Sequence, residues 1–361
     1  MFNTIDLLKM LVKFNTESKH TNLPLIYFLK NILEKNEFQV QVFKYGTKAN
    51  LVAKLGEGGG GLIFSGHTDT VPAGNSWKTN PFQLIKKQNR FYGLGTVDMK
   101  GAIAAMITAV FALKKEKTKM KKPLYLVFTF DEEKDFNGIK KILNTEIIKM
   151  SNLAIIGEPT GMQPVIAHKG VVALDVGIFG KEAHSSNPEQ GINAVEVTGD
   201  LIQKLKQLSL EIQWNKDFRF KPAYSTLNIG KIKGGSAINK VPDFCLLSLE
   251  YRAISLDDDK YLFQQIQRLS KGVVKKYLTV PPFESSIDKN SLSVIEAVTE
   301  RKSKAVSYAT EAIFYEKHGI PAIILGPGDI KRAHQPDEFI TKNELIKAIT
   351  CFRSIIKRFC F

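Results

Sequence analysis

Cysteine, tryptophan, arginine and long apolar runs are all scarce in this chain. Its 361 residues include three cysteines and two tryptophans. Cys245, Cys351 and Cys360 are odd in number and widely spaced, so they form neither a disulfide framework nor a zinc-ligand pattern. Buried, idle thiols in a reducing cytoplasm are the expectation. No stretch approaches the roughly 18 uncharged apolar residues of a membrane helix. The first residues, MFNTIDLLKMLVKF, place Asp6, Lys9 and Lys13 inside an apolar pattern and predict an amphipathic helix rather than a secretory signal. Arginine supplies 8 of the 51 basic residues, whereas nucleic-acid readers usually cluster arginine with aromatics.

The 43 lysines give a formal charge of +15. They are scattered, and the one dense run, Lys114–Lys122, reads as a solvated stretch between a helix and a strand. A nucleic-acid partner is not expected; attraction for anionic substrates stays open. With 43% apolar and 24% charged residues the chain builds a large core and two or three domains.

Helix and strand patterns alternate. Apolar spacing predicts helices over 3–14, 23–35 and 101–113, and strands over 38–43 and 50–55. Four short apolar runs each end in polar residues: 62–64 before Ser65-Gly66-His67-Thr68-Asp69, 124–130 before Asp131-Glu132-Glu133, 153–156 before Gly157-Glu158, and 322–325 before a loop reaching His334. Such runs between helices predict a largely parallel sheet, which binds ligands beyond the carboxyl ends of its strands. Residues 171–280 read β-α-β-β-α-β, with helices over 191–208 and 257–271: the split ferredoxin-like unit, inserted into the first domain. The expected division is 1–170, 171–281 and 282–361.

The strand-end residues are candidates for metal chemistry. A metal-binding imidazole needs its second nitrogen held, and Asp69 lies two residues from His67. Alone, that pair is weak evidence, because a surface histidine beside a turn aspartate is the commoner arrangement. Asp98 precedes an apolar helix, where a helix cap is the plain alternative. The segment Gly93–Gly101 lacks both the third glycine of a dinucleotide loop and the GK[ST] of a phosphate loop. Adjacent Glu132 and Glu133 point to different sides, so one can bind a metal while the other serves as a base; two solvated acids is the alternative. Three carboxylates (Asp98, Glu133, Glu158) and two imidazoles (His67, His334), with a bridging hydroxide, balance two divalent cations. His20 and His318 read as surface residues, and His168 as structural.

Seven segments carry a resemblance: SGHTDTVPAG (65–74), GLGTVDMKG (93–101), FDEEKDFNG (130–138), IIGEPTGMQPVIAHKG (155–170), GKEAHSSNPEQGINA (180–194), LNIGKIKGGSAINKVP (227–242) and LGPGDIKRAHQPDEF (325–339). In this order they resemble the M20 family of dinuclear zinc hydrolases, and within it the acetylornithine-deacetylating branch. The resemblance implies an α/β zinc-exopeptidase-like catalytic domain with a mostly parallel central sheet, plus a ferredoxin-like α+β dimerisation domain. It implies a cytoplasmic homodimer that cleaves a small N-acylated amino acid, N2-acetyl-L-ornithine first, in arginine synthesis. It implies two divalent ions, zinc or cobalt, with His67 and Glu158 on one, Glu133 and His334 on the other, and Asp98 bridging. Glu132 would be the general base, Asp69 would orient His67, and His184 would reach the partner subunit's site. Asn239 and Arg252 match substrate-proximal positions, although Arg252 is followed by Ala253 where proline is usual. Phe130 stands where a small residue is common. A cis bond is implied after Asp98. A desuccinylase, another deacylase, a dipeptidase and a non-enzymatic binding protein are the competing readings.

Overall fold

The computed structural model describes residues 3–114, 119–143, 145 and 151–361. Residues 115–118 of the lysine-rich run therefore lie outside the described residues. Two compact units result: Met1–Ile166 with Ser285–Lys304 and Thr310–Phe361, and Ala167–Glu284 with Ala305–Ala309.

The first unit is a sheet covered by helices. Helix α1 (Thr4–Lys13) starts at Asn3, whose side chain accepts the Asp6 N–H, and it buries Leu7, Leu8, Leu11 and Val12. Helix α2 spans Leu23–Glu34. Strands β1 (Gln39–Tyr45) and β2 (Lys48–Leu55) form a hairpin at one margin. Strand β3 (Gly61–His67) is buried throughout. Two three-residue strands, β4 (Ile85–Lys87) and β5 (Arg90–Tyr92), lie in a small separate sheet. Helix α3 (Lys100–Lys114) follows, then β6 (Leu124–Thr129), α4 (Asn137–Ile142), β7 (Ser151–Ile156) and β8 (Val165–His168). Among the described strands the sheet runs β1-β2-β6-β3-β7 and then Ala322–Ile324, the later strand that follows α-helical segments 289–299 and 312–317. Its centre is parallel: β3 pairs with β6 and β7, and Ala322–Ile324 with β7. Its margins are antiparallel, a feature the apolar runs alone do not register.

The parallel registers bring the strand ends level. His67 lies opposite Thr129, while Ser65 and Ile324 both lie opposite Ile156. Every loop that leaves these strands therefore departs from one edge. Helix α3 is apolar nearly all round because it packs against β3, α1 and the C-terminal helix Lys342–Cys360. Gly157 permits the close approach of α3. A Cβ there would meet Met106 Cε at 2.6 Å, Met99 Cε at 2.7 Å and Ala102 Cβ at 2.9 Å.

The second unit is the expected ferredoxin-like sandwich. It contains β9 (Val171–Phe179), the short β10 (Ala183–His184), α5 (Ala194–Glu211), β11 (Thr226–Gly234), β12 (Lys240–Val241), β13 (Phe244–Arg252), α6 (Leu256–Ser270) and β14 (Val273–Val280). Its four-stranded sheet is antiparallel, in the order β11-β13-β9-β14. Alternate residues of the strands point inward, and Leu174, Val176, Leu247 and Leu249 meet Leu201, Leu205, Leu262 and Ile266 of the helices. Asn193 and Ser255 cap the two helices.

The boundaries differ from 171–281. They fall at Ala167 and Glu284, and residues 305–309 join the second unit. Hydrogen bonds tie residues 305–309 to that unit: Val306 O accepts the Lys169 N–H, Ser307 donates to Lys221 O, and Arg252 donates to Ser307 O.

Candidate metal centre

Five ionisable side chains converge beyond the level strand ends. His67 ends β3, Glu133 follows β6 and Glu158 follows β7. His334 lies ten residues after the strand Ala322–Ile324. Asp98 arrives from the other direction, on the loop between β5 and α3. Its Oδ1 lies 2.9 Å from His67 Nε2 and its Oδ2 lies 3.4 Å from His334 Nε2. Glu158 Oε1 lies 3.6 Å from His67 Nε2, and Glu133 Oε1 lies 2.9 Å from His334 Nε2. Two groups follow, each with ligand atoms within 4.8 Å of one another: His67, Asp98 and Glu158; and Asp98, Glu133 and His334. Asp98 is common to both. The first group is buried. The second opens to solvent at His334, whose side chain is half exposed. The Asp98–Met99 bond is cis, the geometry the family resemblance implies.

Electrostatics test whether this donor set suits cations. Burial drives the Glu132 and Glu158 carboxyls well above their ordinary range, and their neighbouring carboxylates add to it. Burial and the Asp98 charge raise Glu133 as well. Burial also acts to raise Asp98, but hydrogen bonds and charge from His334 and His67 overcome it and push that carboxyl far down. His334 is pushed up to about 10 by Asp98 and Glu133. Burial opposes a charged His67, yet Asp98 and Glu158 hold it well above the usual histidine range. The two groups set three carboxyls against two imidazoles, so with all of them ionised the negative charge exceeds what the imidazoles neutralise. Glu158 Oε1 is also buried without a hydrogen-bond donor. An orphaned carboxylate oxygen beside an imidazole, in a set of mixed nitrogen and oxygen donors, fits a divalent cation; the shared carboxylate extends the fit to two.

Glu132 belongs to neither group. It is buried, and its N–H donates to Asp69 Oδ1 at 3.2 Å; the Glu133 N–H donates to Asp69 Oδ2 at the same distance. Ser18 donates to Oδ2 at 3.0 Å. His67 Nδ1 meets the main-chain oxygen of Asp69 at 2.9 Å, with the carboxylate 3.7 Å away. Asp69 therefore steadies His67 through its backbone, while its carboxylate anchors the peptide that carries Glu132 and Glu133. Ser18 and the buried Glu311, which accepts the Thr129 hydroxyl at 2.7 Å, escape sequence reading because no local pattern marks them. Burial pushes the Glu311 carboxyl up to about 7.

His184, Asn239 and Arg252 stand in the second unit. His184 is exposed on β10 opposite Lys240, and its Nδ1 meets Ser186 Oγ at 2.8 Å. Asn239 accepts the Ser185 N–H through its main-chain oxygen at 3.1 Å. Arg252 donates to Glu250 at 2.9 Å. His168 is buried; its Nδ1 meets Lys169 O at 2.8 Å and its ring centroid lies 5.1 Å from that of Phe283. His20 and His318 are exposed. The three cysteines are free and buried. No helix among the described residues is long and apolar enough to cross a membrane.

Comparison with known proteins extends this picture. Residues 63–358 match the profile of peptidase family M20/M25/M40. An acetylornithine deacetylase from Buchnera aphidicola subsp. Schizaphis graminum is 36% identical, covering 96% of this chain and 94% of its own. One from Pectobacterium carotovorum subsp. carotovorum is 37% identical over 87% of this chain and 84% of its own. Among solved structures, a tripeptidase from Staphylococcus aureus superposes with a TM-score of 0.84, at 20% identity, over 99% of this chain and 97% of that one.

Proposed function

Because the chain belongs to peptidase family M20/M25/M40, we propose that it hydrolyses N2-acetyl-L-ornithine to ornithine and acetate. It is a metal-dependent hydrolase; the substrate, the zinc identity of the ions, the cytoplasmic setting and the homodimer are parts of this reading. The observation that carries it is the complete donor set, His67, Asp98, Glu133, Glu158 and His334, with the non-ligand Glu132 held beside it. The two relatives named for acetylornithine deacetylation support the substrate. The free cysteines accord with a reducing compartment.

When bound, a pair of divalent cations would supply Lewis acidity toward the amide oxygen and toward water. The protein's own residues account for the proton. The Glu132 carboxylate takes it from the attacking water, and the water oxygen adds to the acyl carbon. The same carboxyl returns the proton to the leaving nitrogen as the carbon–nitrogen bond breaks. Asp69 holds the Glu132 main chain during both transfers. His184 completes the site from the partner subunit, donating an N–H to the oxyanion, with Asn239 and Arg252 near the substrate.

Two experiments test this reading. Metal analysis with kinetics on acetylornithine, succinyl-diaminopimelate and a dipeptide should give the highest kcat/KM for acetylornithine. Faster desuccinylation or peptide cleavage overturns the substrate. Loss of an oxyanion donor costs about 10²–10³-fold in kcat, so His184→Ala should lower kcat more than it raises KM. Mixing H184A with E132Q, each strongly impaired, should restore one working site in every mixed dimer. No recovery after verified subunit exchange overturns the contribution in trans.

A further inference from the structure

We propose that Glu338 is a positioning residue of the metal centre, its carboxylate holding the loop that presents Asp98 to both ligand groups. Glu338 is 2% exposed and lies outside both groups. Its Oε1 accepts the N–H groups of Val97 at 2.5 Å and Asp98 at 3.1 Å, and its Oε2 accepts that of Gly95 at 2.9 Å. Its main-chain oxygen takes the Gly93 N–H at 3.0 Å. The segment from Gly93 to Asp98 lies between β5 and α3, so sheet and helix leave these donors free. Buried N–H groups need acceptors, and a turn that aims several of them at one point forms a nest for an anion. Gly95 makes that turn, with φ of +78°. Lys100, also buried, donates to Phe14 O at 2.9 Å.

The position of Glu338 in the chain adds to the argument. Four residues earlier the same segment carries His334, a ligand of the second group. One side chain thus ties the loop of the shared ligand to the loop of a terminal ligand. Neighbouring Asp337 faces elsewhere: its Oδ1 accepts the N–H groups of Lys78 and Thr79 and the Thr79 hydroxyl. Two adjacent acids therefore clamp two different loops, and only the Glu338 clamp reaches a ligand.

Glu338→Gln is the direct test. Whichever way the new amide is turned, its NH2 opposes at least one of the three N–H groups. The inference rests on the metal-centre reading and is independent of the substrate. Cobalt(II) is titrated into the metal-stripped protein, and its visible absorption follows both sites, with far-UV circular dichroism and thermal midpoint as folding controls. Outer partners of metal ligands are worth about 10–100-fold in affinity, so E338Q should weaken both sites by that factor and alter the cobalt spectrum. D337N, on the same segment, should leave both affinities unchanged. If the wild type takes up no cobalt, the centre itself is overturned. If the wild type loads two ions and E338Q matches it, or D337N weakens binding as much, only the Glu338 role falls. Should E338Q not fold, Glu338→Asp decides: the charge stays and the reach shortens by one methylene. A folded E338D with wild-type affinities overturns the proposal, and weakened ones support it.

Discussion

Glu132→Gln should retain two metal ions and lose nearly all turnover. Glutamine keeps the shape of the side chain and the N–H contact to Asp69, which runs through the main chain. It removes the one feature the mechanism needs, an oxygen able to accept a proton from water and give it up again. General-base contributions are on the order of 10²–10⁴-fold, and the loss here belongs in kcat. Glu132 is in neither ligand group, so elemental analysis should find the ions still present. Near-normal kcat in metal-loaded E132Q would remove Glu132 from the proton path. Loss of an ion would instead make it a ligand and shift the base to another group.

The contrast between Glu132 and its surroundings shows which parts of the centre local sequence records. The strand-end acids and imidazoles were legible because a buried parallel strand writes a continuous apolar run, and its end is marked by the first polar residues. His67, Glu133 and Glu158 each follow such a run. The ferredoxin-like unit is legible for a related reason: two of its strands, Phe244–Arg252 and Val273–Val280, alternate more and less buried residues. What local sequence does not record acts over long sequence separations through single polar contacts. Ser18 reaches Asp69 across 51 residues, and Glu338 reaches Val97 across 241. Neither contact imposes a periodicity. Nearness in sequence points the Asp69 carboxylate at His67, yet the nearer contact runs through the main chain and the carboxylate turns to the Glu132 and Glu133 peptides. The short strand Lys304–Val306 leaves no sequence signal because three residues carry too little alternation to register.

Asp98→Ala should cost both ions, where removal of either histidine costs one. The two Asp98 oxygens face different imidazoles, Oδ1 toward His67 and Oδ2 toward His334. Each ligand group loses a member when the carboxylate goes, whereas His67→Ala depletes only the group completed by Glu158, and His334→Ala only that completed by Glu133. The loop itself should survive, because Glu338 grips the main-chain N–H groups of residues 95, 97 and 98 and not the Asp98 side chain. Lost occupancy in D98A therefore reports a lost ligand and not a collapsed turn, and circular dichroism should match the wild type. A ligand removed outright should cost more than the roughly 10–100-fold expected of an outer partner such as Glu338. The order of the variants is then D98A, with neither ion retained and no measurable turnover; H67A and H334A, with one ion each; and E132Q, with two ions and no turnover. Elemental analysis after dialysis against a weak chelator separates these classes without reference to activity. Two ions retained in D98A would mean that the shared carboxylate is not shared, and that each site closes on its own terminal ligands.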